Sequence, residues 1–221
     1  EAQAAGRDPA GLDGGFWPDC VLEVEPVRPS SGKLVWEWHA FDHLIQDRDP
    51  KAANHGDVAA HPERIDINAG GAERAPGATP EELAKLKKLG YVGDEPAQRR
   101  GPGGGGPGGG PGGPPGMGAD WLHTNAIDYR ADLDLVVLSI HNLSEVWVID
   151  HSTTSAEAAS SKGGKRGKGG DLLLRWGNPQ THKAGQAGER QLSQQHDAQW
   201  IADGLSGAGH MLVFNNGGRG G

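Results

Sequence analysis

Short apolar runs, each closed by Gly, Pro, Asn, Asp or Ser, recur along this chain, and such a pattern admits strands far more readily than long helices. Val21-Leu22-Glu23-Val24-Glu25 alternates apolar and polar, Pro29-Ser30-Ser31-Gly32 turns, and Lys33-Leu34-Val35-Trp36-Glu37-Trp38 alternates again. The design returns in Val146-Trp147-Val148-Ile149-Asp150 and Gly170-Asp171-Leu172-Leu173-Leu174-Arg175-Trp176, which puts Trp176 at the position of Trp38. Strands are predicted over His123 to Tyr129, Leu135 to Ile140, Glu145 to Asp150 and Asp171 to Trp176, and a further unit starts at His196 and stops at Phe214.

Hairpins with a Trp at a fixed place, repeated along a chain, fit the four-stranded blades of a β-propeller better than a sandwich. The fold class expected is therefore all-β, a propeller of which this chain spans two to three blades. So few blades do not close a ring and would leave sheet edges unpaired, so the chain reads as a piece of something longer.

The 38 glycines and 15 prolines would suggest low complexity if they were spread evenly, but they cluster. Gly101 to Gly118 is Gly and Pro apart from Met117, and such a tract cannot bury apolar surface against its ordering entropy. Thr79-Pro80-Glu81-Glu82 through Leu89-Gly90 carries an N-cap, a Pro at the first helical position and a glycine stop. The organisation expected is a partial blade at 17–45, an insertion at 46–119 with a short helix at 80–89 and a disordered tract at 101–118, and one full blade plus the start of the next at 120–217. The Ser/Gly/Lys stretch from Ser152 to Gly169 reads as a mobile loop between strands.

A net charge of −8 argues against a nucleic-acid partner, since phosphate binding needs a clustered basic surface. The one basic run, Lys162 to Lys168, is broken by glycines and reads as a solvated loop. Cys20 is the sole cysteine, which excludes an intrachain disulfide and a cysteine metal cluster. No apolar run approaches the roughly 20 residues of a membrane-spanning helix, and Glu1 opens no signal-peptide pattern.

Chemistry-bearing residues recur at matching places. His123 and His196 each open a strand, and His141-Asn142 and Asn215-Asn216 follow the next strand in each case. Equivalent positions in neighbouring blades would face one pocket, where imidazoles can serve as nucleophile or donor. His55, Asp57, His61 and Asp66 have the residue types of a metal site but no spacing that a helix or strand would impose, so no metal is expected. His43, His151 and His182 lie beside turn residues and read as solvated. Trp36, Trp38, Trp147 and Trp176 read as blade packing, whereas Trp121 and Trp200 adjoin the histidines and could flank an aromatic substrate.

Five segments in order carry a resemblance: Trp-Pro-Asp before Val-Leu-Glu-Val-Glu-Pro; Gly-Lys-Leu-Val-Trp-Glu-Trp-His with Asp42-His43-Leu44; Asp120-Trp121-Leu122-His123-Thr124-Asn125; Gln195-His196-Asp197-Ala198; and Val213-Phe214-Asn215-Asn216-Gly217. Together they resemble the bacterial aryl-sulfate sulfotransferases over most of 17 to 217, outside the insertion and the 152–169 loop. The resemblance implies a six-bladed β-propeller exported to the periplasm or cell exterior. It also implies transfer of a sulfuryl group from a phenolic sulfate ester to a phenol, with no nucleotide donor, metal or other cofactor. By motif, His196 would be the nucleophile that becomes transiently sulfated and His123 would contact the sulfate, with His141 beside it. Asn125, Asn215 and Trp121 would bind substrate. Where the family carries an arginine, this chain has Ser139-Ile140-His141, which replaces a permanent cation with a titrating one. A further histidine pair of the family would lie before Glu1. Two other classes share the strand pattern: a propeller that binds a sugar, peptide or protein without catalysis, and a quinone-dependent dehydrogenase, whose calcium-ligand pattern is missing.

Overall fold

A computed structural model describes residues 1–8, 16–70 and 119–217. The predicted helix at 80–89 and the tract at 101–118 lie outside the described residues. Strands prevail and helix is nearly absent. β1 (Cys20–Val27) and β2 (Ser31–His39) form an antiparallel hairpin; β3 (Leu44–Ile45) and β4 (Ile65–Asp66) pair in parallel. β5 (Thr124–Arg130), β6 (Leu135–Ile140), β7 (Glu145–Asp150) and β8 (Leu174–Trp176) make a four-stranded meander. β9 (His196–Trp200) and β10 (Met211–Phe214) form a last hairpin. Among the described residues no sheet closes into a barrel or propeller.

The pleat of β6 and β7 explains the arrangement, because successive side chains of a strand point to opposite faces. Val136, Leu138 and Ile140, with Trp147 and Ile149 opposite them, enter one core with Trp36, Trp38, Ile65, Ile67, Trp121 and Leu122. Leu135 and Val137, with Val146 and Val148, enter a second core with Leu192 and Ala198, against which Trp200, Met211 and Val213 pack. The sheet is thus a partition with apolar material on both sides, which is why its central strands read as nearly continuous apolar runs. Residues 46–70, which the sequence pattern set outside any blade, reach the first core: Ile65 and Ile67 are fully buried. The repeat does not impose equal burial, for Trp38 is buried whereas Trp176 is about half exposed.

The segment predicted to be a mobile loop is tied down. Thr154 caps α1 (Ser155–Ala158) through a capping box with Glu157. Trp36 Nε1 donates to Thr153 Oγ1 at 3.1 Å and Trp38 Nε1 to the Gly170 carbonyl at 2.7 Å, so the loop folds over both indoles. A Cβ on Gly170 would meet Ala158 O at 2.0 Å, so this glycine serves close approach of two backbones rather than flexibility. The basic run is also engaged: Lys165 Nζ pairs with Asp134 Oδ2 at 3.0 Å and Arg166 Nη1 with Asp150 Oδ1 at 2.9 Å.

Nor are His43 and His151 simply solvated. His43 is fully buried, with Nδ1 2.8 Å from Asp171 Oδ1 and Nε2 2.8 Å from the Ala158 carbonyl, and its ring stacks on Trp38. Burial alone would raise the Asp171 carboxyl, but the His43 contact and Arg64 bring it below the ordinary range. His151 sits between Asp134 Oδ1 at 2.9 Å and Glu23 Oε2 at 3.0 Å, which links the β1–β2 hairpin to the meander. His182 is largely covered, 3.7 Å from Glu145 Oε1.

Glu145, with no exposed surface, accepts from Arg175 Nη2 at 2.6 Å, Trp147 Nε1 at 2.7 Å and Thr181 Oγ1 at 2.6 Å. Desolvation favours its neutral form, but Arg175 and the surrounding donors outweigh it and hold the carboxyl below its usual range. Arg175→Ala would leave that charge buried and uncompensated, and the expected loss of about 3 to 5 kcal/mol is measured as a lowered denaturant midpoint. A second test concerns Asp134, whose carboxyl the His151 and Lys165 hydrogen bonds depress to about 2. A depressed folded value stabilises wherever the unfolded carboxyl is ionised, so the contribution is complete above about pH 4 and disappears as pH falls toward about 2. The stability advantage over Asp134→Asn should shrink across that window in denaturation series at stepped pH.

Candidate active site

Three histidines meet at the strand ends. The His123 and His141 ring centroids lie 5.0 Å apart and those of His141 and His196 5.3 Å apart, both edge to face. His123 leads into β5, His141 follows β6 and His196 opens β9, so the cluster joins the meander to the last hairpin.

Local anchors hold each ring. Trp121 and Leu122 are buried, and Trp121 Nε1 donates to the Ala69 carbonyl at 2.9 Å, which fixes the turn from which His123 projects. His123 adopts φ of 52°, a left-handed conformation rare outside glycine, and its side chain stays about half exposed at 48%. Its Nδ1 hydrogen-bonds Asp120 Oδ2. Asn142 Nδ2 donates to the carbonyls of Asp120 at 2.9 Å and Trp121 at 3.3 Å, which orients its amide so that Oδ1 faces His141 Nδ1 at 2.8 Å. An amide oxygen only accepts, so the hydrogen of neutral His141 is on Nδ1 and its Nε2 is bare. His196 is flanked by Gln194 and Asp197, both left-handed at φ 48° and 55°.

Gln195 explains how His196 reaches the cluster. Its side chain is fully buried, and Nε2 lies 3.1 Å from Ser139 Oγ, 3.1 Å from the Ile140 carbonyl and 2.9 Å from the Glu145 carbonyl. Its own carbonyl accepts from Asn125 Nδ2 at 2.8 Å. Gln195 therefore ties the start of the hairpin that carries His196 to β5, β6 and β7 at once.

The remaining predicted site residues part ways. Asn125 is beside the cluster, with its amide nitrogen spent on Gln195 and its Oδ1 buried without a hydrogen bond among the described residues. Asn215 stitches the 191–193 loop, accepting from Ser193 N at 2.8 Å and donating to the Gln191 carbonyl at 3.1 Å. Asn216 takes the place expected of Asn215: its Nδ2 is 3.3 Å from His196 Nδ1. Trp121, expected at the substrate, belongs to the first core and is covered by Phe16 at 4.9 Å between centroids. Trp200 packs on the second core under Arg130. Asp120, Asn142, Gln195 and Asn216 hold the histidines without being among the site residues that the sequence predicts. Their signal was adjacency, since each lies within the histidine motifs.

An open cleft of about 680 Å³ lies between β1 and β5, with Asp120, His123 and Asn125 on one side and Val21, Leu22 and Ile127 among its apolar walls. Among the described residues no group of three or more His, Cys, Asp or Glu is placed to hold a metal. No described helix is long and apolar enough to cross a membrane.

A strand-built scaffold that gathers three imidazoles and amide groups at strand ends is suited to transferring or binding a small anionic group. The model of the arylsulfotransferase (ASST) family matches residues 17–221, and the chain belongs to that family. No curated protein and no solved structure matches it.

Gln195→Leu keeps the volume but withdraws the donor from three buried acceptors. It should cost about 1 to 3 kcal/mol and be read as a lowered thermal midpoint.

Proposed function

We propose that this protein moves a sulfuryl group from a phenolic sulfate ester to a phenol without a nucleotide donor, through a sulfated His196. The observation that carries the reading is the contact of His123, His141 and His196 in a chain of the arylsulfotransferase family. In the first half-reaction His196 Nε2 forms the bond to sulfur while the sulfur–oxygen bond breaks and its electron pair leaves on the phenolic oxygen. A second phenol then takes the group back. Attack requires the His196 tautomer with hydrogen on Nδ1, for which Asn216 must turn its amide so that Oδ1 accepts. His123 and His141 face the sulfuryl oxygens, where charge develops, and each ring donates there through Nε2 in its imidazolium form, since its Nδ1 hydrogen is already engaged. Asn125 supports this anion site. In this reading the four-stranded meander is one blade of the family's propeller, the flanking hairpins belong to neighbouring blades, residues 46–119 hold an insertion, and the protein works outside the cytoplasm. No metal or organic cofactor takes part.

The test is 4-nitrophenyl sulfate with phenol, following nitrophenolate and the mass of the protein. Phenol-dependent release that His196→Ala abolishes, with a gain of about 80 daltons on His196 before phenol is added, supports the mechanism. Absence of both in the folded full-length protein moves the reading to a propeller that binds without catalysis.

A second outcome concerns the cation. An imidazole is charged only below about neutral pH, whereas a guanidinium is charged throughout. His141→Arg, which puts a permanent cation at the sulfuryl oxygens, should raise turnover by up to about tenfold, read as the rate of nitrophenolate release with phenol present.

A further inference from the structure

We propose that Asp120 is a positioning residue that makes His123 the acid–base group for the phenolic oxygen, with the phenol ring seated in the cleft between β1 and β5. The inference rests on the sulfotransfer reading and adds a division of labour within it. A carboxylate offers only lone pairs, so the hydrogen bond from His123 Nδ1 to Asp120 Oδ2 fixes the neutral ring's hydrogen on Nδ1 and leaves Nε2 bare. The same contact stabilises the imidazolium that forms when Nε2 takes a proton. His141 shows the same tautomer, but its partner is a neutral amide, which gives the resulting cation no counter-charge. Of these two rings, only His123 borders the cleft, and it is half exposed there beside Val21, Leu22 and Ile127, walls suited to an aromatic ring.

The other groups facing His123 do not compete for the task. Asp19, across the cleft, accepts from Thr124 N at 2.7 Å. His141 is in ring contact with both His123 and His196 and is not among the residues that line the cleft. His123, His141 and His196 are thus neighbours, and a phenol with its ring in the cleft and its oxygen at His123 Nε2 would meet a sulfuryl group held among the three rings.

The step balances as follows. The acceptor hydroxyl gives its proton to His123 Nε2 as its oxygen bonds to sulfur. The sulfur–nitrogen bond breaks, its electron pair returns to His196 Nε2, and that ring leaves neutral with its hydrogen on Nδ1. In the donor half-reaction the His123 imidazolium returns the proton to the departing phenolate.

Two measurements test this on the full-length protein. Histidine ¹⁵N spectra of the wild type should show His123 as the Nδ1–H tautomer, and Asp120→Asn should mix the two tautomers. Kinetically, nitrophenolate leaves with little need of an acid, whereas phenolate needs one. Turnover of Asp120→Asn should therefore fall about tenfold further with phenyl sulfate than with 4-nitrophenyl sulfate as donor. Equal losses with both donors, or His123 protonated on Nε2 in the wild type, would overturn the assignment. A folding defect cannot mimic the expected result, because it lowers both donors alike and leaves the wild-type spectrum unaffected. A wild type that releases no nitrophenolate overturns sulfotransfer itself, while the spectrum still reports separately whether Asp120 sets the tautomer.

Discussion

One buried amide decides where the candidate chemistry can occur. Gln195 Nε2 is shared among Ser139 Oγ and the carbonyls of Ile140 and Glu145, and the Gln195 carbonyl holds Asn125. These acceptors belong to the ends of β6 and β7, and withdrawing their donor in an apolar setting would cost more than any one bond returns. The requirement is directional, unlike the packing of Leu192 and Ala198 around it, so it fixes the register of β9 on the meander. His196 is the next residue, and its position follows.

The meander itself works because β6 and β7 are apolar on both faces and serve two cores at once. That leaves charge no cheap place inside, yet Glu145 is there with Arg175, Trp147 and Thr181 satisfying its oxygens. Such a group contributes little net stability compared with an apolar substitute, but removing one partner is severe. Around the first core the same logic holds for His43, Asp171 and Arg64, which tie the hairpin, the β3–β4 pair and the loop after β7 to one another. Rigidity at these supports is what a site of three facing rings requires, since a shift of about an ångström in one of them would misalign attack.

The site illustrates how motif residues divide between display and support. Asp120-Trp121-Leu122-His123 puts Trp121 and Leu122 into the core and thereby turns His123 outward at a left-handed φ. Asn142 clamps that turn by two backbone carbonyls while holding His141. The histidines were legible as candidates because they recur at matched places in a repeated strand pattern. Their supports were not, because an aspartate three residues before a histidine, or an asparagine after one, has many uses until the chain is folded. Trp121 shows the same ambiguity: a tryptophan next to a histidine suits a binding wall or a core equally well, and only its burial assigns it to the core.

The sequence by itself determined the strands. β6 and β7 fall at the residues that the apolar runs predict, and the hairpins at 20–39 and 196–214 follow from alternation and turn chemistry, which are local properties of the chain. Family membership is likewise a property of residues in order. Tertiary structure alone decided that the glycines near 170 serve close packing, that residues 46–70 enter the core, that His43 is buried, and that Asn216 rather than Asn215 meets His196. Each of these depends on which distant segment arrives at a given face, and neither pleat nor propensity encodes that.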